Sequence, residues 1–212
     1  MKFAEIAQFF ERMEGTTKRL ELTEILVELL KNTPTDEISK VTYLIQGKIR
    51  PNFEGVELGI AEKLAIRSIS KSAGIPIKKV EEDYRLGGDL GLTAANVLKE
   101  KTQTTFSTEN ITLERVYDTL FKIANLEGKR SQDMKIRYIS SLLNDATTNE
   151  AKFILKILLG TLRLGIAENT LMTALAIAFT GEKNNRELIW RVFSFDQIVL
   201  GRSIFKFGKL LF

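Results

Sequence analysis

The stretch Leu158 to Ala176, LLGTLRLGIAENTLMTALA, decides how this chain reads, because a second version of it stands about a hundred residues earlier. The earlier version is Leu44 to Ile69, LIQGKIR followed by PNFEGVE and LGIAEKLAIRSI. In both, an apolar helical run ends at a glycine (Gly47, Gly160) and a short turn carries an arginine (Arg50, Arg163). The identical pentapeptide LGIAE then opens what is expected to be a new helix, at Leu58 and at Leu164. Two helices meeting at such a corner, with an arginine in the turn, offer helix-start N–H groups and a cation to an anion.

Working outward, the correspondence extends well beyond the corners. Gly15 and Gly128, Leu30 and Leu143, Glu37 and Glu150, and Arg50 and Arg163 are each separated by 113 positions. After the corner the separation falls to 106, because Pro51 to Glu57 have no counterpart in the second version. The expected architecture is therefore all-α, an internally duplicated multi-helix domain with pseudo-two-fold symmetry. The copies would span about 1–98 and 113–212, joined by the polar, threonine-rich connection 99–112, as one domain.

The expected helices follow from apolar spacing. Phe3, Ile6, Ala7, Phe10 and Met13 give a first helix over residues 2 to 13, stopped at Glu14-Gly15. Leu22, Ile25, Leu26, Leu29 and Leu30 give a second, after the basic turn TTKR (Thr16 to Arg19). A third is expected to open at Thr33-Pro34-Thr35-Asp36 with Thr33 as N-cap and to run to Gly47. In the second copy, Val116, Leu120, Ile123 and Ala124 form a helix resuming near Thr112, and KRSQ (Lys129 to Gln132) repeats the basic turn. A helix through Ile136, Ile139 and Leu143 follows, and Thr147 with Glu150 forms a capping box for the next. Leu86 to Leu98 reads as a glycine-rich turn. Phe153, Ile154, Ile157, Leu158, Ile166, Leu171 and Leu175 are expected in the core.

Composition narrows the chemistry. With no cysteine and no histidine in 212 residues, disulfides, thiolate chemistry, zinc sites and Ser-His-Asp hydrolysis are excluded on inventory. No apolar run approaches a membrane span, and the amphipathic start is unlike a signal peptide, so a cytoplasmic protein is expected. The net charge of +4 is mild, so the positions of the cations decide the partner. TTKR and KRSQ at matching helix starts, and GKIR and GTLR at matching corners, mix hydroxyls, helix-start amides and cations. That mixture contacts phosphate without reading bases. Plainer readings stand beside it: an ordinary C-cap for Gly47 and Gly160, and solvated turn residues for the arginines and lysines. A helical-repeat scaffold for protein partners is the alternative from another class.

The residues also carry a family resemblance. FILKILLGTLRLGIAENTLMTALAIAFTG (Phe153 to Gly181), FAEIAQFFERMEGTTKRLE at the start, YLIQGKIRPNFEGVELGIAEK, GGDLG (Gly87 to Gly91) and ITLERVYDTLFKIANLEGKRSQ resemble the N-terminal DNA-binding domain of archaeal and eukaryotic-type ATP-dependent DNA ligases. The resemblance covers residues 1 to about 190. It implies an all-helical domain that binds nicked or intact duplex DNA through the minor-groove backbone, without sequence preference, in replication, repair and recombination. It further implies nucleotidyltransferase and OB-fold domains in cis, which would hold ATP and Mg, and a sliding clamp as a partner, although no short clamp-binding peptide stands out. Carried over residue by residue, Gly160, Thr161, Arg163 and Gly165 would line the second corner contact, and Gly47, Lys48, Arg50 and Gly59 the first. Ser131 and Lys135 would be phosphate ligands, with Thr17, Lys18 and Arg19 as weaker counterparts. The family's catalytic Lys-x-Asp-Gly motif is absent from these 212 residues. No catalysis is therefore expected of this chain alone. After about Trp190 the sequence departs from the family pattern, which reads as a truncated chain or a diverged frame.

Overall fold

The computed structural model describes residues 1–51, 54–56, 58, 60–99 and 110–189. These residues are helical: α1 (Phe3–Glu14), α2 (Arg19–Asn32), α3 (Ile38–Ile45), α4 (Glu62–Ala73), α5 (Ile77–Gly87), α6 (Leu90–Lys99), α7 (Leu113–Ala124), α8 (Ser131–Asp145), α9 (Thr148–Leu158) and α10 (Glu168–Thr180). A 3-10 turn, Lys183–Asn185, follows. Among the described residues there is no strand, only an isolated antiparallel bridge between Lys2 and Thr112. None of the described helices is long and apolar enough to cross a membrane.

The chain divides into two compact units. One comprises Met1, Gln8–Gln46 and the chain from Arg163 on, and the other Lys2–Ala7 and Gly47–Leu162. In the first unit α2 packs along α10. The five apolar residues at helical spacing on α2, Leu22 to Leu30, are all buried, as are Leu171, Ala174 and Leu175 on α10. Burial of such a stripe, and not propensity alone, is what holds a helix of this length.

In the second unit α4 packs on α8, and α6 on α9. The α4–α8 seam is apolar through Ile66, Ile69, Ile136 and Ile139. It is cross-linked where Ser140 Oγ donates to the Ser68 carbonyl at 3.1 Å and Ser72 Oγ donates to Asn144 Oδ1 at 3.0 Å. The α6–α9 contact is closer still. A Cβ on Gly91 would lie 2.7 Å from the Lys152 carbonyl and 2.9 Å from Lys156 Cγ. The glycine at that position is thus a condition of the packing. Asp89 caps α6 by accepting from the Gly91 and Leu92 amides at 2.7 and 3.1 Å, and pairs with Lys156 Nζ at 3.2 Å.

Local signals read from the sequence hold at several ends. Thr112 caps α7, accepting from the Arg115 amide at 3.1 Å. Thr147 and Glu150 form the capping box of α9. Three expectations need correction. Thr33 does not cap a helix: its buried hydroxyl donates back to the Leu29 carbonyl at 2.7 Å, ending α2, and α3 begins only at Ile38. Leu86 to Leu98 is mostly the end of α5 and the body of α6, divided at Gly88 in the left-handed region (φ 67°). The LGIAE pentapeptides do not open helices at their leucines. The chain is extended through Ala61 and Ala167, and helix starts at Glu62 and Glu168.

The extended course has a physical reason. Leu162 and Leu164 are buried, whereas Arg163, Gly165 and Ala167 are exposed, an alternation that a strand-like segment produces and a helix does not. In the first copy Leu58 and Ile60 are buried likewise, and the Ile60 amide donates to the Leu158 carbonyl at 3.3 Å. Ile166, expected in the core, is only half-buried, since it comes next in line as the segment approaches its helix.

Candidate nucleic-acid interface

In the second unit the chain turns at Gly47, which has φ 67°, after α3. The following residues are pinned by α7. The Ile49 carbonyl accepts from the Tyr117 hydroxyl, and the Arg50 guanidinium lies over the Phe121 ring, 4.8 Å from its centroid. Arg50 Nε is also 3.8 Å from the Glu54 carboxylate, a loose pairing. Arg50 is therefore a half-buried, oriented cation and not a freely solvated one. Lys48 is half-buried beside it.

The corner after α9 closes on itself. Gly160 has φ 66°, and its amide donates to the Ile157 carbonyl at 3.1 Å. The Thr161 and Leu162 amides both donate to the Lys156 carbonyl, at 2.9 and 3.1 Å. This is a Schellman-type helix end, so the plain C-cap reading of Gly160 is correct as far as it goes. The amides of residues 160 to 162 are occupied within the chain, and the Thr161 hydroxyl also donates, at a long 3.5 Å, to the Lys156 carbonyl. Gly47, Lys48, Arg50 and Gly160 nevertheless share one cleft of about 350 Å³, walled by Ile49, Leu58, Ile157 and Leu159. The two corner glycines are thus brought together.

In the first unit Thr17, Arg19, Gly165, Ala167 and Asn169 line a cleft of about 230 Å³ with Leu22 and Thr170. The starts of α2 and α10 converge there, and neither has a side-chain cap. Two helix N-termini, an arginine and a threonine hydroxyl make a positive, donor-rich edge. Gly165 has φ 67°, and a Cβ there would lie 3.9 Å from Leu22 Cδ1, so the segment runs close along α2. Arg163 is exposed, with no ion-pair partner among the described residues.

Lys18 is paired within its own turn. Its ammonium pairs with Glu21 at 2.7 Å, and its amide donates to Thr16 Oγ1 at 3.2 Å. The hydrogen bond from Lys18, then the one from Thr16, holds the Glu21 carboxyl below the ordinary glutamate range. Lys18 is engaged before any ligand arrives. Ser131 opens α8 and is half-buried, with Lys135 half-buried one turn on. Gly59 lies outside the described residues, as do residues 100–109 of the connection and the tail beyond Ile189.

Sequence reasoning misses Tyr117, Phe121 and Asn169. The first two stand four apart on α7, so they share a face, but nothing local indicates that a corner seventy residues earlier rests on it. Asn169 sits in the first turn of α10, and escapes notice when that helix is expected to begin earlier.

Known proteins are similar to this sequence. The chain matches the family model described as DNA ligase N terminus over residues 2–176. It is 70% identical over 189 residues to the DNA ligase of Nitrosopumilus maritimus, covering 89% of this chain and 32% of that protein. It is 61% identical over 194 residues to the DNA ligase of Cenarchaeum symbiosum, covering 92% of this chain and 33% of that protein. It is 43% identical over 201 residues to DNA ligase 2 of Thermofilum pendens, again with 92% and 33% covered. The chain thus spans about a third of the length of the relatives it matches.

Proposed function

This chain belongs to the family of DNA ligase N-terminal domains, and from that premise we propose that it grips nicked or intact duplex DNA through the minor-groove backbone, holding the substrate for ligase domains that carry out the sealing. The observation that carries this reading is the first-unit cleft, where the uncapped starts of α2 and α10 meet beside Thr17, Arg19 and the outward-facing Gly165. Such groups bind phosphate oxygens and leave base edges unread. In this reading Gly47, Lys48 and Arg50, with Gly160 and Thr161, form a second contact, and Arg163, Ser131 and Lys135 add to the grip. Arg163, exposed and without an ion-pair partner among the described residues, would be able to move onto a phosphate.

The internal duplication belongs to the same proposal. α2 packs on α10 and α8 packs on α4. With α2 corresponding to α8 and α4 to α10 by the sequence offsets, each pairing joins one copy to the other. That is the pattern expected if two copies exchanged their later helices, each presenting one contact to one strand. Chemistry would reside elsewhere: ATP and Mg would be held by nucleotidyltransferase and OB-fold domains in cis. A sliding clamp is a further partner that the ligase reading carries with it. DNA replication, repair and recombination are the processes it would serve.

The test is an anisotropy titration of the chain on nicked and intact duplex over a salt series. Affinity should fall steeply with salt and be indifferent to sequence, because each neutralised phosphate releases condensed counterions. Arg50→Ala with Arg163→Ala should weaken binding to every sequence and reduce the salt slope by about two. Absent or salt-insensitive binding defeats the reading. The protein-scaffold alternative expects instead that both arginines can be replaced without effect on the partner.

A further inference from the structure

The helix that follows the first corner carries a feature its counterpart lacks. On α4 the residues Lys63, Arg67 and Lys71 recur at every fourth position, and all three are exposed. Each step of four advances 40° around the helix, so the three cations share one face. The opposite face is buried through Ala65, Ile66, Ser68, Ile69 and Ser72. At the corresponding positions of α10 stand Asn169, Thr173 and Ile177, and α10 contains no lysine or arginine.

The acidic neighbours do little to neutralise the stripe. Glu62, at the start of α4, accepts from the Tyr84 hydroxyl at 3.0 Å. Asp133 on α8 approaches Arg67 only to 3.9 Å, with the two side chains 77% and 51% exposed. An exposed pair at that distance contributes little and exchanges readily for a stronger anion. Three cations spanning roughly 12 Å of helix axis lie along a run of about four phosphates of one strand, which advance about 3.4 Å each along the duplex.

We propose that α4 is a phosphate-tracking rail. It continues the backbone contact beyond the first corner along one strand, so that the grip on the duplex is lopsided, with α4 contributing a longer contact than α10. This rests on the duplex-binding reading above and adds a surface to it.

The test compares four forms of the full chain on a nicked duplex across a salt series: wild type, Lys63→Gln/Arg67→Gln/Lys71→Gln, a charge-matched control Lys31→Gln/Lys122→Gln/Lys183→Gln, and Arg50→Ala/Arg163→Ala. Glutamine keeps helix propensity near that of lysine and arginine, and unchanged circular dichroism and melting temperature verify the fold. The rail variant should lose about two to three from the slope of log affinity against log salt, since each phosphate contact contributes about 0.9. The control should lose less than about one on that scale. Hydroxyl-radical footprints should shorten on one flank of one strand only. A rail variant with the wild-type slope, or a control that loses as much, overturns the proposal while leaving the duplex-binding reading intact, provided the arginine variant still weakens. Wild type that does not bind at all removes both. If the rail variant loses affinity for poly-glutamate yet keeps its slope on DNA, the stripe serves an acidic polypeptide and the proposal falls.

Discussion

The corners at Gly47 and Gly160 share a backbone conformation, with φ of 67° and 66°, yet they are stabilised in different ways. The first is held by a neighbouring helix, through the Tyr117 hydroxyl on the Ile49 carbonyl and the Phe121 ring under Arg50. The second is closed by its own chain, with the Lys156 carbonyl accepting from both Thr161 and Leu162. One consequence is that their arginines differ. Arg50 is already oriented and would lose little side-chain freedom on meeting a phosphate, whereas Arg163 would have to be ordered. A repeated sequence thus yields the same turn while leaving its arginine half-buried and oriented in one copy and exposed in the other.

The largest effect expected from disturbing this contrast is at the support of the second corner. Gly91→Ala places a methyl 2.7 Å from the Lys152 carbonyl on α9. The strain outweighs the gain in helix propensity, for a net loss of about 2 kcal/mol, read as a shift in the denaturant midpoint. Next is Tyr117→Phe, which leaves the buried Ile49 carbonyl unsatisfied and should cost about 1–2 kcal/mol. Hydrogen exchange should then accelerate at residues 48 to 50 and not at 160 to 162. Equal acceleration at both would show that the corners are not independently held.

A smaller and symmetrical effect is expected from Gly47→Ala and Gly160→Ala, each costing about 1 kcal/mol for a left-handed L-residue. Neither added methyl meets an atom closer than 3.8 Å, so a difference above about 1 kcal/mol between them would reveal strain outside the turn itself. The smallest effect concerns Asp89. Burial pushes its carboxyl up, but the Leu92 amide, the Lys156 ammonium and the Gly91 amide outweigh burial and hold it below the ordinary aspartate range. A carboxyl depressed in the folded state contributes stability above its ordinary pKa and loses it as pH falls through the folded value. Stability should therefore decline below about pH 4, and Asp89→Asn should flatten that decline in acid unfolding curves.

What is legible in the sequence is what neighbouring residues decide. The α2 stripe Leu22 to Leu30, the Thr112 start and the Thr147–Glu150 box each depend on residues within a few positions. Thr33 misleads because a threonine before proline serves equally to end one helix or begin another, and here its hydroxyl turns back to Leu29. The LGIAE segments mislead because a short run of small apolar residues suits helix and extended chain alike, and burial of Leu162 and Leu164 chooses the latter. At the candidate site the residue types are readable but their commitments are not. Phe121 under Arg50 comes from distant chain. Glu21 beside Lys18 is local, but an exposed helix surface offers many such pairs, and sequence does not say which one forms.

Ala61 and Ala167 stand where a serine, threonine or aspartate would ordinarily open a helix, and neither offers a side-chain acceptor to the amides of the first turn. Replacing Ala167 with aspartate should raise the melting temperature, by a cap worth about 0.5–2 kcal/mol, and at the same time occupy the very donors a phosphate would use. Under the duplex-binding proposal the molecule forgoes thermal robustness at the edge that would meet DNA, and a variant selected for heat resistance alone would be drawn toward losing that contact.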